Sequence, residues 1–245
     1  MTVGGTEPGL SAKSAAEVLA EVKFVPGPIL LMGAPGAGKG TQAKEIMAAW
    51  GIPQISTGDL LRLNKQRGTE LGLAAKQIMA EGKLVPDDLV NQMVASRLRE
   101  PDCARGYILD GFPRTIVQAE WLDHHLASQV SVLPLIAVSI RVDYNKLLRR
   151  ITGRRSCPLC GTIYNVYLQT PKAAERCDLD GAQLVRRPDD TEEVFEERMR
   201  TFASQTAPVV EHYRALGQFQ EVDGEQPVEV VTAAIVAAVE KFRGI

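Results

Sequence analysis

A glycine-rich segment near the start of the chain restricts the fold more than any other feature. Residues 33–41 read GAPGAGKGT; they follow the apolar run PILLM and precede QAKEIMAAW, which has helical spacing. Glycines let successive backbone N–H groups turn toward one anion, and the N-terminus of the next helix adds positive potential. Gly40 stands where the motif G-x-x-x-x-G-K-[ST] has Ser or Thr, and Thr41 follows it. Because Lys39 is in register, the segment predicts a phosphate-binding loop instead of a simple turn.

Apolar runs and helical patterns alternate along the rest of the chain. The runs are PILLM, YILD ending at Asp110, LIAVSIRV ending near Asp143, and FQEV ending at Asp223. This alternation predicts an α/β fold with a parallel sheet and helices on both faces. Ser56 to Asp59 and Pro86 to Asp88 predict helix N-termini, the second with Pro at an early helical position.

The composition predicts a cytoplasmic protein that binds neither nucleic acid nor membrane. The chain has 245 residues, of which 45% are hydrophobic, and its 28 Lys plus Arg against 30 Asp plus Glu give a net charge of −2. A near-neutral chain has no extended positive field. Glu17 and Glu21 interrupt the N-terminal Ala/Val-rich stretch, so we expect no signal peptide. Residues 230–239 are about half as long as the ~20 residues that a membrane-spanning helix needs.

Three of the four cysteines lie in residues 157–181, CPLCGTIYNVYLQTPKAAERCDLDG. This region belongs to the segment 154–187, which is rich in Gly, Pro and turn residues, breaks the alternation and predicts an inserted subdomain. Clustered cysteines in an intracellular chain favour a metal over a disulfide. Zinc accepts a carboxylate oxygen beside thiolates, although iron also binds thiolate sites. We therefore predict one structural Zn²⁺, the alternative being small buried cysteines without metal; the ligands are Cys157, Cys160, Cys177 and Asp180.

Several arginines predict a second phosphate site at the same edge of the sheet. The motifs STGDLLR and DGFPRT each follow a predicted strand, and they carry Arg62 and Arg114. Arginine forks bind phosphate oxygens in a bidentate manner. Arg150 and Arg154 have the spacing i, i+4, which predicts that one helix running into the insertion presents both. Arg187 and Arg198 add two further cations, and a polyphosphate would neutralise them.

Five motifs in this order make the chain resemble the adenylate kinase family, in its long-lid form: GAPGAGKGTQA, STGDLLR, GKLVPDDLV, DGFPRT and RRPDD. The resemblance implies a P-loop nucleoside monophosphate kinase fold, in which a parallel five-stranded sheet has helices on both faces and an inserted lid. It implies an adenylate kinase domain over residues 28–245, with an AMP-binding helical part near 56–85 and a lid near 153–188. Residues 1–27 are predicted to be an N-terminal extension.

The activity implied by the resemblance is reversible transfer of the γ-phosphoryl group of ATP to AMP, giving two ADP, in a monomer that uses Mg²⁺ with ATP and zinc in the lid. The implied ATP site comprises Gly36, Ala37, Gly38, Lys39, Gly40, Thr41, Arg150 and Arg154. The implied AMP site comprises Thr57, Arg62, Val85, Gly111, Arg114, Gln118, Arg187 and Arg198. The implied catalytic cations are Lys39, Arg114, Arg150, Arg154, Arg187 and Arg198, and Asp110 is implied to hold Mg²⁺ through water.

Two other functions compete with this interpretation. A UMP/CMP kinase shares the loop and the arginines, but such relatives usually have Ala in place of Thr57 and a short lid. A nucleotide-binding regulator whose cysteine ribbon contacts a partner or nucleic acid would bind ATP without using AMP. Such a regulator needs no acceptor pocket, so the full set of arginines favours the enzyme.

Overall fold

A computed structural model describes residues 24–129 and 133–244. Its strands are β1 Gly27–Met32, β2 Gln54–Ser56, β3 Gly106–Asp110, β4 Ile136–Arg141, β5 Arg154–Ser156, β6 Ile163–Asn165 and β7 Phe219–Asp223. Five of them form one sheet in the order β2-β3-β1-β4-β7, and every neighbouring pair is parallel. The predicted α/β fold with a parallel five-stranded sheet is confirmed.

The helices are α1 Lys39–Trp50, α2 Thr57–Gln66, α3 Glu70–Ala80, α4 Asp87–Leu98, α5 Ile116–Ala127, α6 Tyr144–Thr152, α7 Glu192–Thr201, α8 Ala207–Ala215 and α9 Val228–Arg243. Ser56 caps α2 as predicted, because its side chain accepts a hydrogen bond from the backbone N–H of Asp59. Pro86 was predicted inside the first turn of α4, and this is wrong. It immediately precedes the helix, in an extended conformation with ψ of 137°.

Helices cover both faces of the sheet, as predicted. Side chains alternate along β1, so that Ile29 and Leu31 pack against α1, α6, α7 and α9, whereas Leu30 and Met32 pack against α2, α4, α5 and α8. All six residues of β1 are buried. Burying one such aliphatic side chain contributes about 1.5–3 kcal/mol. The central strand therefore holds the following loop in a fixed place.

The chain enters the predicted insertion from α6, but not as one continuous helix. Arg150 and Arg154 were expected on one helix, but α6 ends at Thr152 and Arg154 lies in β5. Arg154 pairs with Asn165 across the antiparallel β5–β6 hairpin, and the Asn165 amide donates to the Arg150 carbonyl at 3.0 Å. This side chain satisfies a carbonyl in the last turn of α6, where the helix itself offers no partner.

The two ends of the described chain meet at the edge of the sheet where the strands begin. Arg243, at the end of α9, donates to the carbonyls of Pro26 at 2.7 Å and Pro134 at 2.8 Å. The Phe24 ring packs edge-on against Trp50 with centroids 5.3 Å apart. Most of the predicted extension 1–27 lies outside the described residues. Among the residues that are described, no helix has the length and apolar composition needed to cross a bilayer.

Candidate active site

The glycine-rich loop connects β1 to α1 and turns through three glycines with positive φ. Gly33, Gly36 and Gly38 have φ of 136°, 86° and 104°. A Cβ atom at Gly33 would lie 2.6 Å from the carbonyl oxygen of Ile140, so a side chain has no room there. Lys39 begins α1, and the unpaired N–H groups of this helix N-terminus face the loop. The local geometry thus fits a phosphate-binding loop.

Lys39 lies inside this loop without a close carboxylate partner among the described residues. Its ammonium donates to the carbonyl oxygens of Gly33 at 2.7 Å and Ala34 at 3.1 Å. Burial lowers the pKa of Lys39 to about 8; Asp110 opposes this effect, and Arg114 and other arginines add to it. A lysine in this electrostatic environment favours binding of an anion, which would stabilise its charged form.

The structure places Arg150 beside the loop. Its guanidinium donates to the carbonyls of Gly224 at 2.8 Å and Ala37 at 3.3 Å. Arg154 instead forms an ion pair with Asp190, whose carboxylate Oδ2 accepts from Nε at 2.8 Å. Asp190 is fully buried. The predicted ATP residues are therefore assembled around one loop except for Arg154, which is held by a carboxylate.

A cleft opens at the carboxyl ends of β1 and β3, next to the loop. Seven of the eight residues of the predicted AMP site line it, together with Lys39, and Arg187 is the exception; the seven are Thr57, Arg62, Val85, Gly111, Arg114, Gln118 and Arg198. Burial lowers the pKa of Arg187 to about 10, and the charges of Arg154 and Arg62 add to this effect. The sequence thus brought both predicted phosphate sites to one edge of the sheet.

Two uncharged members of this set are fixed by hydrogen bonds. The Thr57 hydroxyl donates to the carbonyl of Gly111 at 2.7 Å. The Gln118 amide oxygen accepts from the Arg114 backbone N–H at 2.8 Å, and its amide nitrogen donates to Asp87 at 2.8 Å. Both side chains are 2% exposed. Gln118 therefore supports the loop of Arg114, and its contact with adenine stays a prediction.

Sequence reasoning missed the carboxylates that bind the arginines. Arg62 pairs with Asp59, and although burial opposes the effect, Arg62 lowers the pKa of Asp59. Arg198 pairs with Asp189 at 3.3 Å, and burial lowers the pKa of Arg198 to about 10. These aspartates stand in the motifs STGD and RRPDD, which were noted for their arginines. The acidic residues of these motifs were the sequence signal that could have predicted the ion pairs.

Asp110, predicted to hold Mg²⁺, ends β3 beside the loop. Its Oδ2 accepts a hydrogen bond from the Gln54 amide at 2.8 Å and would lie 3.7 Å from a Cβ atom at Gly40. Mg²⁺ binds carboxylate oxygens, usually through one or two side chains and several waters. The carboxylate therefore fits an Mg²⁺ site beside the glycine-rich loop.

The four predicted zinc ligands lie together in the insertion. The donor atoms of Cys157, Cys160, Cys177 and Asp180 are all within 4.8 Å of one another. Cys157 Sγ lies 3.2 Å from an Asp180 oxygen, and the Sγ atoms of Cys160 and Cys177 are 3.5 Å apart. The Ala182 backbone N–H holds the pKa of Asp180 at about 2, so this carboxylate is ionised at neutral pH. Three thiols and a carboxylate fit a closed tetrahedral zinc shell.

Two matching turns present these ligands. Each turn begins at a cysteine ligand. The N–H of this cysteine donates to the carbonyl of the residue five positions later, and its carbonyl accepts from the N–H of a glycine four positions later. The bonds are Cys157 N to Thr162 O at 2.8 Å and Gly161 N to Cys157 O at 3.1 Å, then Cys177 N to Ala182 O at 2.8 Å and Gly181 N to Cys177 O at 3.0 Å. Both glycines have positive φ, 68° and 72°. The backbone thus forms the same cradle twice.

Comparison with known proteins agrees with this geometry. The family model for adenylate kinase matches residues 31–218. The chain belongs to the adenylate kinase family. An adenylate kinase of Nitrosococcus oceani is 46% identical over 215 residues, which are 87% of this chain and 99% of that protein.

Other relatives give a similar picture. An adenylate kinase of Archaeoglobus fulgidus is 44% identical over 215 residues, 88% of this chain and 99% of the relative. One of Symbiobacterium thermophilum is 46% identical, with 88% and 99% covered. The predicted family and the predicted enzyme class, adenylate kinase, are thereby confirmed. The roles of individual residues remain predictions.

Proposed function

We propose that the protein transfers the γ-phosphoryl group of ATP reversibly to AMP, giving two ADP, and that it needs Mg²⁺. One observation carries this proposal: the cleft contains Lys39 at the phosphate loop and, facing the same space, Arg62, Arg114 and Arg198. A nucleotide switch or a simple ATPase needs the cation at the phosphate loop, Lys39, and does not need the three arginines. Two cationic groups on one cleft fit two phosphate-bearing substrates.

In this proposal the loop residues Gly36 to Thr41 bind the ATP phosphates through backbone N–H groups. Lys39 and Arg150 add positive charge, and Arg154 joins them by exchanging Asp190 for a phosphate. The phosphate then replaces the carboxylate as the anion at the Arg154 guanidinium. The ion pair thus keeps the arginine ordered while ATP is absent.

AMP would occupy the other half of the cleft. Arg62 and Arg114 would bind its phosphate, and Arg187 and Arg198 would lie between the two substrates. Thr57, Gln118 and the backbone at Val85 and Gly111 would read the adenine. Arg62 and Arg198 would release Asp59 and Asp189 for phosphate in the same way as Arg154 releases Asp190.

The reaction requires no general base in this chain. The attacking atom is a phosphate oxygen of AMP, which is already ionised at neutral pH. Catalysis therefore consists of in-line positioning and of stabilising the charge on the transferring group. Mg²⁺, held near Asp110, would supply further positive charge on the phosphate oxygens when bound. Lys39 and the arginines bind and orient the two phosphates.

We further propose that residues 153–188 form a lid over the cleft, that residues 56–85 form the AMP-binding part, and that the lid holds one structural Zn²⁺. Water competes with AMP as an acceptor, so the cleft must close before transfer. Lys44 on α1 already donates to the carbonyl of Gly161 in the first cysteine turn, which brings the insertion to the loop helix. The four-ligand set and its matched turns support a structural metal. We propose that the protein acts as a monomer.

The test measures ADP formation from ATP with AMP, UMP or CMP, with and without Mg²⁺. We expect rapid formation of two ADP with AMP and Mg²⁺, and slow or no use of UMP and CMP. ATP hydrolysis that does not depend on AMP would contradict the proposal. A preference for UMP or CMP would retain phosphoryl transfer but reject AMP as the acceptor.

A further inference from the structure

A π turn forms part of the wall of the cleft, outside the predicted site residues. Residues Phe202–Thr206 form this turn between α7 and α8, and the Ala207 N–H donates to the Phe202 carbonyl five positions earlier. Thr201, Phe202 and Thr206 all line the cleft. With 3.6 residues per turn, residues five apart lie about 140° apart around an α-helix. The π turn therefore places Thr201 and Thr206 on the same side.

Pro208 explains why the helix changes its pitch at this point. A proline has no N–H to donate to the carbonyl four positions earlier, here that of Ser204, and its ring crowds that carbonyl. The local hydrogen bond shifts to the spacing i, i+5, while the Ser204 hydroxyl donates to the Arg200 carbonyl at 3.0 Å. Single π turns inside helices occur frequently at functional sites. In this protein the π turn forms part of the wall of the cleft.

It presents a hydroxyl to Arg114. The Thr206 Oγ1 donates to the Arg114 carbonyl at 2.9 Å. On the other side of the same residue, the Gln118 amide oxygen accepts from the Arg114 N–H at 2.8 Å. The Arg114 Nε atom donates to the Gly111 carbonyl at 2.7 Å. The backbone of Arg114 is thus held from α5 on its N–H side and from the π turn on its carbonyl side.

We propose that Thr206 is a positioning residue for the acceptor phosphate: its hydroxyl fixes the main chain of Arg114, and with it the direction from which the guanidinium meets AMP. This inference rests on the proposed function. Thr206 does not act on the substrate itself. It acts through Arg114, because even a small displacement of this guanidinium would misalign it with the reacting phosphate.

The contact has a second consequence for the same site. Arg198 lies in α7, in the helical run that leads into the π turn, so the bond from Thr206 also fixes this run against the loop of Arg114. Arg150 is held by separate contacts with Ala37 and Gly224. Loss of the Thr206 hydroxyl should therefore affect the AMP side of the cleft more than the ATP side.

The experiment compares Thr206→Val, which keeps the shape and loses the hydroxyl, with Thr206→Ser, which keeps the hydroxyl. Thr232→Val is the matched control, because the Thr232 hydroxyl on α9 donates to the Gln42 amide oxygen on α1 and to the Val228 carbonyl, and none of these three residues lines the cleft. We expect the Val variant to raise KM for AMP about fivefold, the equivalent of one hydrogen bond, and to leave KM for ATP within about twofold. The Ser variant and the Thr232 variant should keep both KM values of the parent.

An equal rise in both KM values, or a Ser variant as impaired as the Val variant, would overturn the positioning role. If the Val variant is unfolded in a thermal melt, Thr206→Ala provides the same comparison. The binding of AMP, measured by calorimetry, separates this inference from the proposed function. A parent that binds AMP without producing ADP refutes the function alone, and an unchanged AMP affinity in Thr206→Val refutes the role of Thr206 alone. A parent that does not bind AMP refutes both.

Discussion

Replacing Lys39 by Met should stabilise the ligand-free protein at neutral pH while abolishing activity. Each pH unit by which a pKa is displaced corresponds to about 1.4 kcal/mol. The pKa of Lys39 falls from 10.5 to about 8, so folding disfavours its charged form by about 3 kcal/mol. The Lys39 side chain is half-buried. Its replacement by Met removes the hydrogen bonds to the carbonyls of Gly33 and Ala34, each of which contributes about 1 kcal/mol. We therefore expect a net gain of about 1–2 kcal/mol in the free energy of unfolding at pH 7.

The difference in the free energy of unfolding between the Met variant and the parent should depend on pH. Below pH 8, Lys39 is charged in both the folded and the unfolded state, and the folded protein bears the full electrostatic penalty. Between pH 8 and 10.5 the folded state loses its proton while the unfolded state keeps it, so the unfolded state binds more protons. Stability of the parent then rises with pH relative to the Met variant. The advantage of the variant should shrink through this window.

Urea unfolding of both proteins at pH 7 and pH 9.5, without nucleotide, measures the difference. Titrating groups that do not interact with Lys39 are shared and cancel in the comparison. Lys76→Met, at an exposed position in α3, is the control and should show the same difference at both pH values. ATP at 100 times its Kd should stabilise the parent by about 2.7 kcal/mol and the Met variant much less. A Met variant that is less stable at pH 7, or an advantage that does not change with pH, would refute the argument.

Four further predictions concern the rest of the site. Removing metal with a chelator should lower Tm, Cys177→Ala should weaken metal binding and Asp180→Cys should keep it; elemental analysis showing far less than one metal per chain, with identical melts, would reject the zinc site. Arg114→Ala should lower kcat/KM by the equivalent of about 3–4 kcal/mol in the ADP assay, and a near-normal rate would remove Arg114 from the site. Thr57→Ala should relax the preference for AMP over UMP and CMP by about 1 kcal/mol, which relative kcat/KM values check. Asp190→Asn should destabilise the fold by about 3 kcal/mol in urea unfolding, because it leaves Arg154 without its buried counterion; a loss comparable to that of a surface ion pair would contradict this.

Local patterns predicted the fold and much of the site because their physical causes are local. The loop at residues 33–41 depends on glycines, a strand before them and a helix after them, all visible within about twenty letters of sequence. The carboxyl ends of parallel strands meet at one edge, so Arg62 and Arg114 had to share it with Lys39. The cysteine turns are equally local, since each needs two ligands and one glycine.

Contacts between distant segments could not be predicted in this way. Arg154 and Asp190 are 36 positions apart, and no spacing rule links them. The helical spacing of Arg150 and Arg154 was a misleading local signal, because α6 ends at Thr152 and Arg154 pairs with Asn165 on the facing strand. Thr206 likewise has no recognisable motif. Its position depends on Pro208 and on a loop 92 residues earlier.

The hydrogen bonds of Arg243 to Pro26 and Pro134 determine where a fused domain or a solid surface can be attached without blocking the cleft. They hold the first strand and the last helix at the edge where the strands begin, while the cleft lies at the edge where the strands end. A surface or a fused domain attached directly at Phe24 or Gly244 would therefore leave the substrate entrance facing away from it. In a protein shortened to residues 24–244, a short linker from Gly244 to Phe24 should also close the backbone into a ring, and new termini opened in a surface loop would give a circular permutant with its cleft intact.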